Sequence, residues 1–281
     1  MLPALFLLAF AAGAHASPAL GAMHASSVAG GMPLRILALG DSITWGYNDP
    51  RNASYRRDLE CLLHTHGNAV SMAGSVAHGD WPDNASDAFV YHTIAQIRAA
   101  AAPELTASPS QCPGPSRPNV VLVHAGTVDF VLGGPANATA APGHLYTLLD
   151  GAAAHNPRAL LVVARLIPNA NATVNARIAR FNAALPAVVA KLRHSSRNVV
   201  LADIARGVTA TAKHLSDGTH PNAEGSALMA KNWRAALLDA GERGLIAPPE
   251  CRAGFEDRGA TALGKGGSRL LRNRVTQGNG Q

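Results

Sequence analysis

The feature that most constrains this chain is an alternation. Short apolar runs at residues 34–39, 70–73, 120–125, 160–164 and 199–202 are separated by longer stretches with helical spacing. A strand covered on both faces reads as a continuous apolar run, and these runs are too short for buried helices. Between them, residues 55–64 place Leu59, Leu62 and Leu63 on one side of a helix. Residues 176–192 carry Ile178, Phe181, Leu185, Val188, Val189 and Leu192, with Pro186 as a point of bending. A last helix over 224–238 turns Leu228, Met229, Trp233, Leu237 and Leu238 to one side. Strands that alternate with helices pair in parallel through right-handed crossovers, which predicts an α/β fold: a three-layer α/β/α sandwich with a five-stranded parallel sheet. Reactive groups in such a sheet belong at the carboxyl ends of the strands.

The 281 residues, 47% of them apolar and 15% charged, suit one substantial domain, expected over 34–250. Residues 1–16, MLPALFLLAFAAGAHA, end in a small-x-small pattern and predict a signal peptide cleaved before Ser17, leaving 17–33 as an N-terminal segment. The apolar run is shorter than the roughly 20 residues that span a bilayer, so export to the extracellular space is expected rather than anchoring. Asn52, Asn84, Asn137 and Asn171 each head a glycosylation acceptor pattern, consistent with an exported glycoprotein. Of three cysteines, Cys112 and Cys251 are the favoured disulfide pair, because Cys61 falls in a helical apolar pattern where a buried free thiol is ordinary. The net charge of +6 is concentrated at Arg252, Arg258, Lys265, Arg269, Arg272 and Arg274, in a Gly-rich 251–281 segment that reads as a disordered tail. No nucleic-acid-binding motif accompanies that charge. Residues 103–118, rich in Ser, Pro and Gly, read as a loop insertion. His64 and His66 diverge on a helix and no Cys or Glu cluster completes a site, so no metal or cofactor is expected; a monomer is.

The chemistry lies in two motifs. Gly40-Asp41-Ser42-Ile43-Thr44 follows the first strand and puts a serine hydroxyl at a strand end, although a helix N-cap would use the same residue types. Far downstream, Ser216-Asp217-Gly218-Thr219-His220-Pro221-Asn222 precedes the last helix. A serine hydroxyl needs a base to take its proton, and the base needs a carboxylate to hold its tautomer. Asp217 and His220, three residues apart on one loop, meet the second need. By itself the segment is also a plain turn entering a helix.

Together the two motifs resemble the SGNH/GDSL hydrolase superfamily over about residues 34–238. The resemblance implies a flavodoxin-like fold and metal-free hydrolysis through an acyl-serine, with Ser42 as nucleophile, His220 as base and Asp217 orienting it. It further implies an oxyanion hole from the backbone N–H groups of Ser42 and Gly74, the latter in Met72-Ala73-Gly74-Ser75. The third family block, Gly-x-Asn-Asp, stands here as Gly126-Thr127-Val128-Asp129, so Val128 replaces a side-chain donor. Loss of a comparable donor costs roughly 100- to 1,000-fold in turnover. Three outcomes stay open: a slow enzyme, a replacement donor such as the Thr127 hydroxyl, or decayed catalysis.

Gly40 to Gly46 and Ser54 to Leu59 are most similar to carbohydrate esterase family three and related secreted acetyl-xylan-esterase-like proteins, which makes an acetylated polysaccharide the expected substrate. The segment His78-Gly79-Asp80-Trp81-Pro82-Asp83 departs from those relatives. Trp81 suits either stacking on a sugar or anchoring a loop. Trp45 and Tyr47 suit either a pocket lining or loop packing, and Asp41 and Asp129 read as scaffolding, Asp41 orienting the Ser42 turn. A non-catalytic carbohydrate-binding protein is the second reading, favoured by Val128. A lipid-directed esterase is the third, to be recognised by a more apolar pocket.

Overall fold

The computed structural model describes residues 27–102 and 117–250. The expected signal peptide, the expected Cys112–Cys251 pair, most of the 103–118 stretch and residues 251–281 lie outside the described residues. The expected parallel strands form at β1 (Leu34–Gly40), β2 (Val70–Ala73), β5 (Val120–His124), β6 (Leu160–Ala164) and β7 (Val199–Ala202). They lie in the order β2-β1-β5-β6-β7, each pair parallel, which is the flavodoxin-like doubly wound arrangement.

Alternate side chains of each strand enter two separate cores. Leu34, Ile36 and Ala38 of β1 pack with Leu59 and Leu63 of α2 (Ser54–Thr65) and with Met229, Trp233 and Leu237 of α7 (Ala223–Glu242). Leu37 and Leu39 face the other way, toward Ile94 and Ile97 of α3 (Ile94–Ala100), Leu145 and Leu148 of α5 (Gly134–His155), and Ile178 and Leu185 of α6 (Ala172–His194). That two-faced burial is why the strands carry no polar alternation. Among the described residues no helix is long and apolar enough to cross a membrane.

Four features differ from these expectations or lie beyond them. The sheet has seven strands, because β3 (Val76–Ala77) and β4 (Ala85–Ala88) add a hairpin at the β1 edge. β4 reads Ala-Ser-Asp-Ala and shows no apolar run; it is held by polar contacts, with the backbone N–H and Oγ of Ser75 both donating to Asp87 at 2.7 and 2.9 Å. The packed domain starts before residue 34: Val28 is fully buried and is tied to Asn68 through its N–H and its carbonyl, each at 2.9 Å. α5 forms across Pro142, since it buries Ala141, Leu145, Leu148, Leu149 and Ala152 along one stripe. Cys61 points to solvent on α2 rather than into a core.

Candidate active site

β1 delivers its carboxyl end at Gly40, where no side chain fits: a Cβ would come within 2.3 Å of the His124 carbonyl on β5. The chain turns at once into the one-turn helix α1 (Ser42–Trp45), whose first residue is the serine. Asp41 caps this turn and also reaches across the sheet. Its Oδ1 accepts from Ile43 N–H at 3.1 Å, and its Oδ2 accepts from the N–H groups of Thr127 and Gly126 at 2.9 and 3.3 Å. One buried carboxylate therefore fixes α1 against the start of α4 (Thr127–Val131), the helix after β5.

A second device is Arg56, which is fully buried. Its guanidinium donates to the carbonyls of Thr44 at 2.9 Å and Trp45 at 3.3 Å, and to those of Asn84 at 2.7 Å and His78 at 2.8 Å. It thereby binds α1 to the β3–β4 loop. Burial pulls its pKa down to about 10, still far above neutrality, so the charge persists.

The downstream motif forms a closed loop. Leu215 bridges Pro221, Ser216 N–H donates to the His220 carbonyl at 2.8 Å, and Asn222 caps α7 by accepting from Gly225 N–H at 3.0 Å. The loop is clamped to the chain after β6, where Ala170 N–H donates to the Gly218 carbonyl at 2.8 Å and Asn169 donates to Thr219 Oγ at 2.9 Å. It carries His220 over Ser42, with Nε2 at 2.9 Å from Oγ, and Nδ1 at 2.7 Å from Asp217 Oδ2. A proton on Nδ1 facing the carboxylate leaves Nε2 as acceptor, which is the tautomer a base for Ser42 requires.

Asp217 is saturated with donors. Oδ1 accepts from the N–H groups of Thr219 and His220 at 2.9 and 2.8 Å, and Oδ2 accepts from His220 and from Asn48 Nδ2 at 2.6 Å. Partial burial would raise its pKa, but the hydrogen bonds from His220 and Thr219 outweigh it and hold the carboxyl at about 2. Asn48, at a left-handed φ of 59°, joins the serine loop directly to the histidine loop. The Tyr47 ring lies 4.9 Å from the His220 ring and meets Tyr91 edge-on at 6.2 Å.

These residues open on a small cleft of about 90 Å³, lined by Ser42, Thr127, Thr219 and His220 and by the mostly apolar side chains of Tyr47, Val90, Tyr91, Val128, Val131 and Leu132. Of the expected site residues, Ser42, His220, Asp217, Tyr47 and Val128 come together here. Gly74, Trp81 and Trp45 are not among the lining residues, and the two tryptophans take the loop-packing alternative of their readings. Gly74 sits at φ 143° against the backbone of Ser86, where a Cβ would lie 2.2 Å from the Ser86 carbonyl carbon, so that only glycine fits. β4 replaces β2 as the neighbour of β1 at Leu39 and Gly40, and Val90 and Tyr91 beyond it reach the cleft from that edge. Trp81 is 9% exposed, donates from Nε1 to Glu60 at 2.8 Å and lies under the Arg56 guanidinium, so it anchors a loop and offers no sugar platform. Trp45 stacks on His78 at 3.3 Å and is not a lining residue.

The α4 wall lacks a side-chain donor. Val128 lines it, and the Thr127 hydroxyl oxygen is shielded from solvent and has no partner among the described residues. A donor that water cannot touch cannot touch an oxyanion in that rotamer either. The next residue, Asp129, is fully buried and accepts from Ile94 N–H at 2.9 Å. Burial pushes its carboxyl up to about 6 against the pull of that hydrogen bond.

The sequence carried no signal for Asn48 or Tyr91, and Arg56 stood out only as part of the 54–59 stretch, because the roles of all three depend on loops meeting. The acceptor asparagines differ in setting: Asn52 and Asn171 are exposed, Asn137 is half-buried, and the amide nitrogen of half-buried Asn84 donates to the Gly79 carbonyl at 2.9 Å.

Comparison with known proteins agrees with this geometry. The profile of the GDSL-like Lipase/Acylhydrolase family matches residues 38–228. The chain is 28% identical over 230 residues to a multidomain esterase of Ruminococcus flavefaciens; the match covers 74% of this chain and 28% of that much longer protein. In structure it is similar to a family 3 carbohydrate esterase of Clostridium thermocellum, with a TM-score of 0.64 at 26% identity, covering 76% of this chain and 100% of the other. A carbohydrate esterase family 3 protein from Talaromyces cellulolyticus shares the fold, with a TM-score of 0.60 at 24% identity over 75% of this chain and 99% of the other.

Proposed function

The chain belongs to the GDSL-like lipase/acylhydrolase family, and from that premise we propose that it is a secreted serine ester hydrolase acting on carbohydrate esters through an acyl-Ser42 intermediate. The observation that carries this reading is the continuous relay from Ser42 Oγ through the His220 ring to Asp217, with contacts of 2.9 and 2.7 Å. His220 Nε2 takes the hydroxyl proton as Oγ adds to the ester carbonyl carbon. The imidazolium, stabilised by Asp217, returns that proton to the departing alcohol. In the second half His220 removes a proton from water, the resulting hydroxide adds to the acyl carbon, and Ser42 leaves with the proton restored.

The carbohydrate substrate is supported by the name of the Clostridium thermocellum relative, a family 3 carbohydrate esterase. Export is supported by the apolar N-terminal residues and the four acceptor patterns. Val128, and the absence of an accessible side-chain donor beside it, favour a slow enzyme. In the limit they favour a carbohydrate-binding protein that keeps the fold without turnover.

The decisive comparison is hydrolysis of an activated acetate ester by the wild type and by Ser42→Ala prepared identically. We expect turnover in the wild type and a loss of at least about 1,000-fold in the variant. Equal rates in both would remove the serine mechanism.

A further inference from the structure

Three large apolar side chains are exposed among the described residues: Tyr91 at 64%, Val131 at 40% and Leu132 at 64%. All three line the one cleft that holds Ser42 and His220. Isolated exposed apolar residues need no explanation, but their convergence on a reactive hydroxyl does, because each costs hydration that a bound apolar group would recover. Tyr91 also holds a left-handed φ of 63°, a conformation that is unfavourable for an aromatic residue. Val90 and Val128 extend the same surface inward. The polar groups of the lining are Ser42, His220, Tyr47, Thr127 and Thr219, and the Thr127 hydroxyl is shielded.

From this arrangement we infer that the cleft carries a subsite for an apolar acyl group larger than acetyl, built from Val128, Val131 and Leu132 on and just after α4 and faced by Tyr91. The assignment to the acyl side follows from the chemistry. The alcohol must leave within reach of His220 Nε2, which returns its proton, so the acyl group that remains on Ser42 takes the wall that His220 does not occupy. The missing donor at position 128 and the subsite are then two aspects of one surface: a valine that cannot polarise the oxyanion gives the acyl chain an apolar contact instead. This inference rests on the ester-hydrolase reading and specifies which esters that reading selects.

The test is a series of 4-nitrophenyl acetate, butyrate and hexanoate with one alcohol throughout, assayed on the full chain, on Leu132→Ser and on Ser42→Ala. Each methylene buried on apolar surface is worth a few-fold in kcat/KM, so butyrate should exceed acetate by about tenfold in the wild type. In Leu132→Ser that ratio should fall to about two; both esters are read on one sample, so a folding defect cancels. A wild-type butyrate to acetate ratio of one or less, with turnover abolished in Ser42→Ala, overturns the subsite and leaves the esterase standing. An unchanged ratio in Leu132→Ser removes that side chain from the subsite and overturns the assignment to the α4 wall. Absence of Ser42-dependent turnover on every ester overturns the hydrolase reading itself, and the inference with it.

Discussion

The loop that carries Asp217 and the helix that carries Asp129 form facing sides of one site, and they treat an aspartate in opposite ways. Asp217 is partly exposed, accepts four hydrogen bonds, and is held at about 2. Asp129 is fully buried, accepts one hydrogen bond from Ile94 N–H, leaves its other oxygen without a partner among the described residues, and is pushed up to about 6. The first environment is built to keep a charge, the second to discourage one. The contrast extends to their neighbours. Beside Asp217 stands His220, aligned on Ser42; beside Asp129 stands Val128, with no donor to offer. The proton-handling side of the site is complete, while the α4 side presents apolar side chains to the cleft.

The largest way to test that contrast is to damage the complete half. Asp217→Asn keeps the shape but would present an amide to Nδ1 and favour the wrong tautomer, so kcat should fall by roughly 100- to 10,000-fold. A fall below tenfold would mean that Asn48 and the backbone N–H groups, rather than the carboxylate, do the positioning. The next effect runs the other way. Val128→Asn restores a side-chain donor where the family places one, and acetate turnover should rise by about 10- to 100-fold, with kcat changing more than KM. No rise would show that the oxyanion is already served by backbone N–H groups and that the apolar wall carries no catalytic deficit.

The smallest effect is on stability and separates the two aspartates by sign. The folded protein holds the Asp129 proton up to about pH 6, whereas an unfolded chain releases it near 3.8, so the native state loses stability as pH rises between those values. Asp129→Asn abolishes that loss. Its melting temperature relative to the wild type should therefore be more favourable at pH 7.5 than at pH 4, by the equivalent of about 2 kcal/mol. For Asp217 the sign reverses: its stabilisation is present above about pH 3.8 and is lost as pH falls through about 2. Solvent screening of this partly exposed group keeps that contribution small. A pH-independent difference for Asp129→Asn would show that its buried oxygens find partners that offset desolvation.

Much of this arrangement was legible in the residues alone. β1, β2, β5, β6 and β7 appear as apolar runs because burial on both faces leaves no room for polar alternation, and α2, α6 and α7 appear because their buried stripes repeat at helical spacing. Ser42, Asp217 and His220 were legible through the resemblance that their two local motifs together bear to the SGNH/GDSL hydrolases, since either motif alone reads as a cap or a turn. The parts that escaped reading are those whose reason lies far along the chain. α5 contains Pro142 and depends on the apolar surface it covers, and β4 is a polar segment fixed by Asp87 to Ser75.

The sequence by itself determined five parallel strands and three of the helices, since their periodicity is written within a few neighbouring residues, and the resemblance of its two loop motifs to the SGNH/GDSL hydrolases pointed to Ser42, His220 and Asp217. Tertiary structure alone decided which residues share the cleft. It brought Asn48 onto Asp217, set Tyr91 and Leu132 about Ser42, and placed β4 beside the end of β1. Those outcomes depend on how loops at the ends of non-adjacent strands pack against one another, and that packing is fixed by contacts spanning the whole sheet.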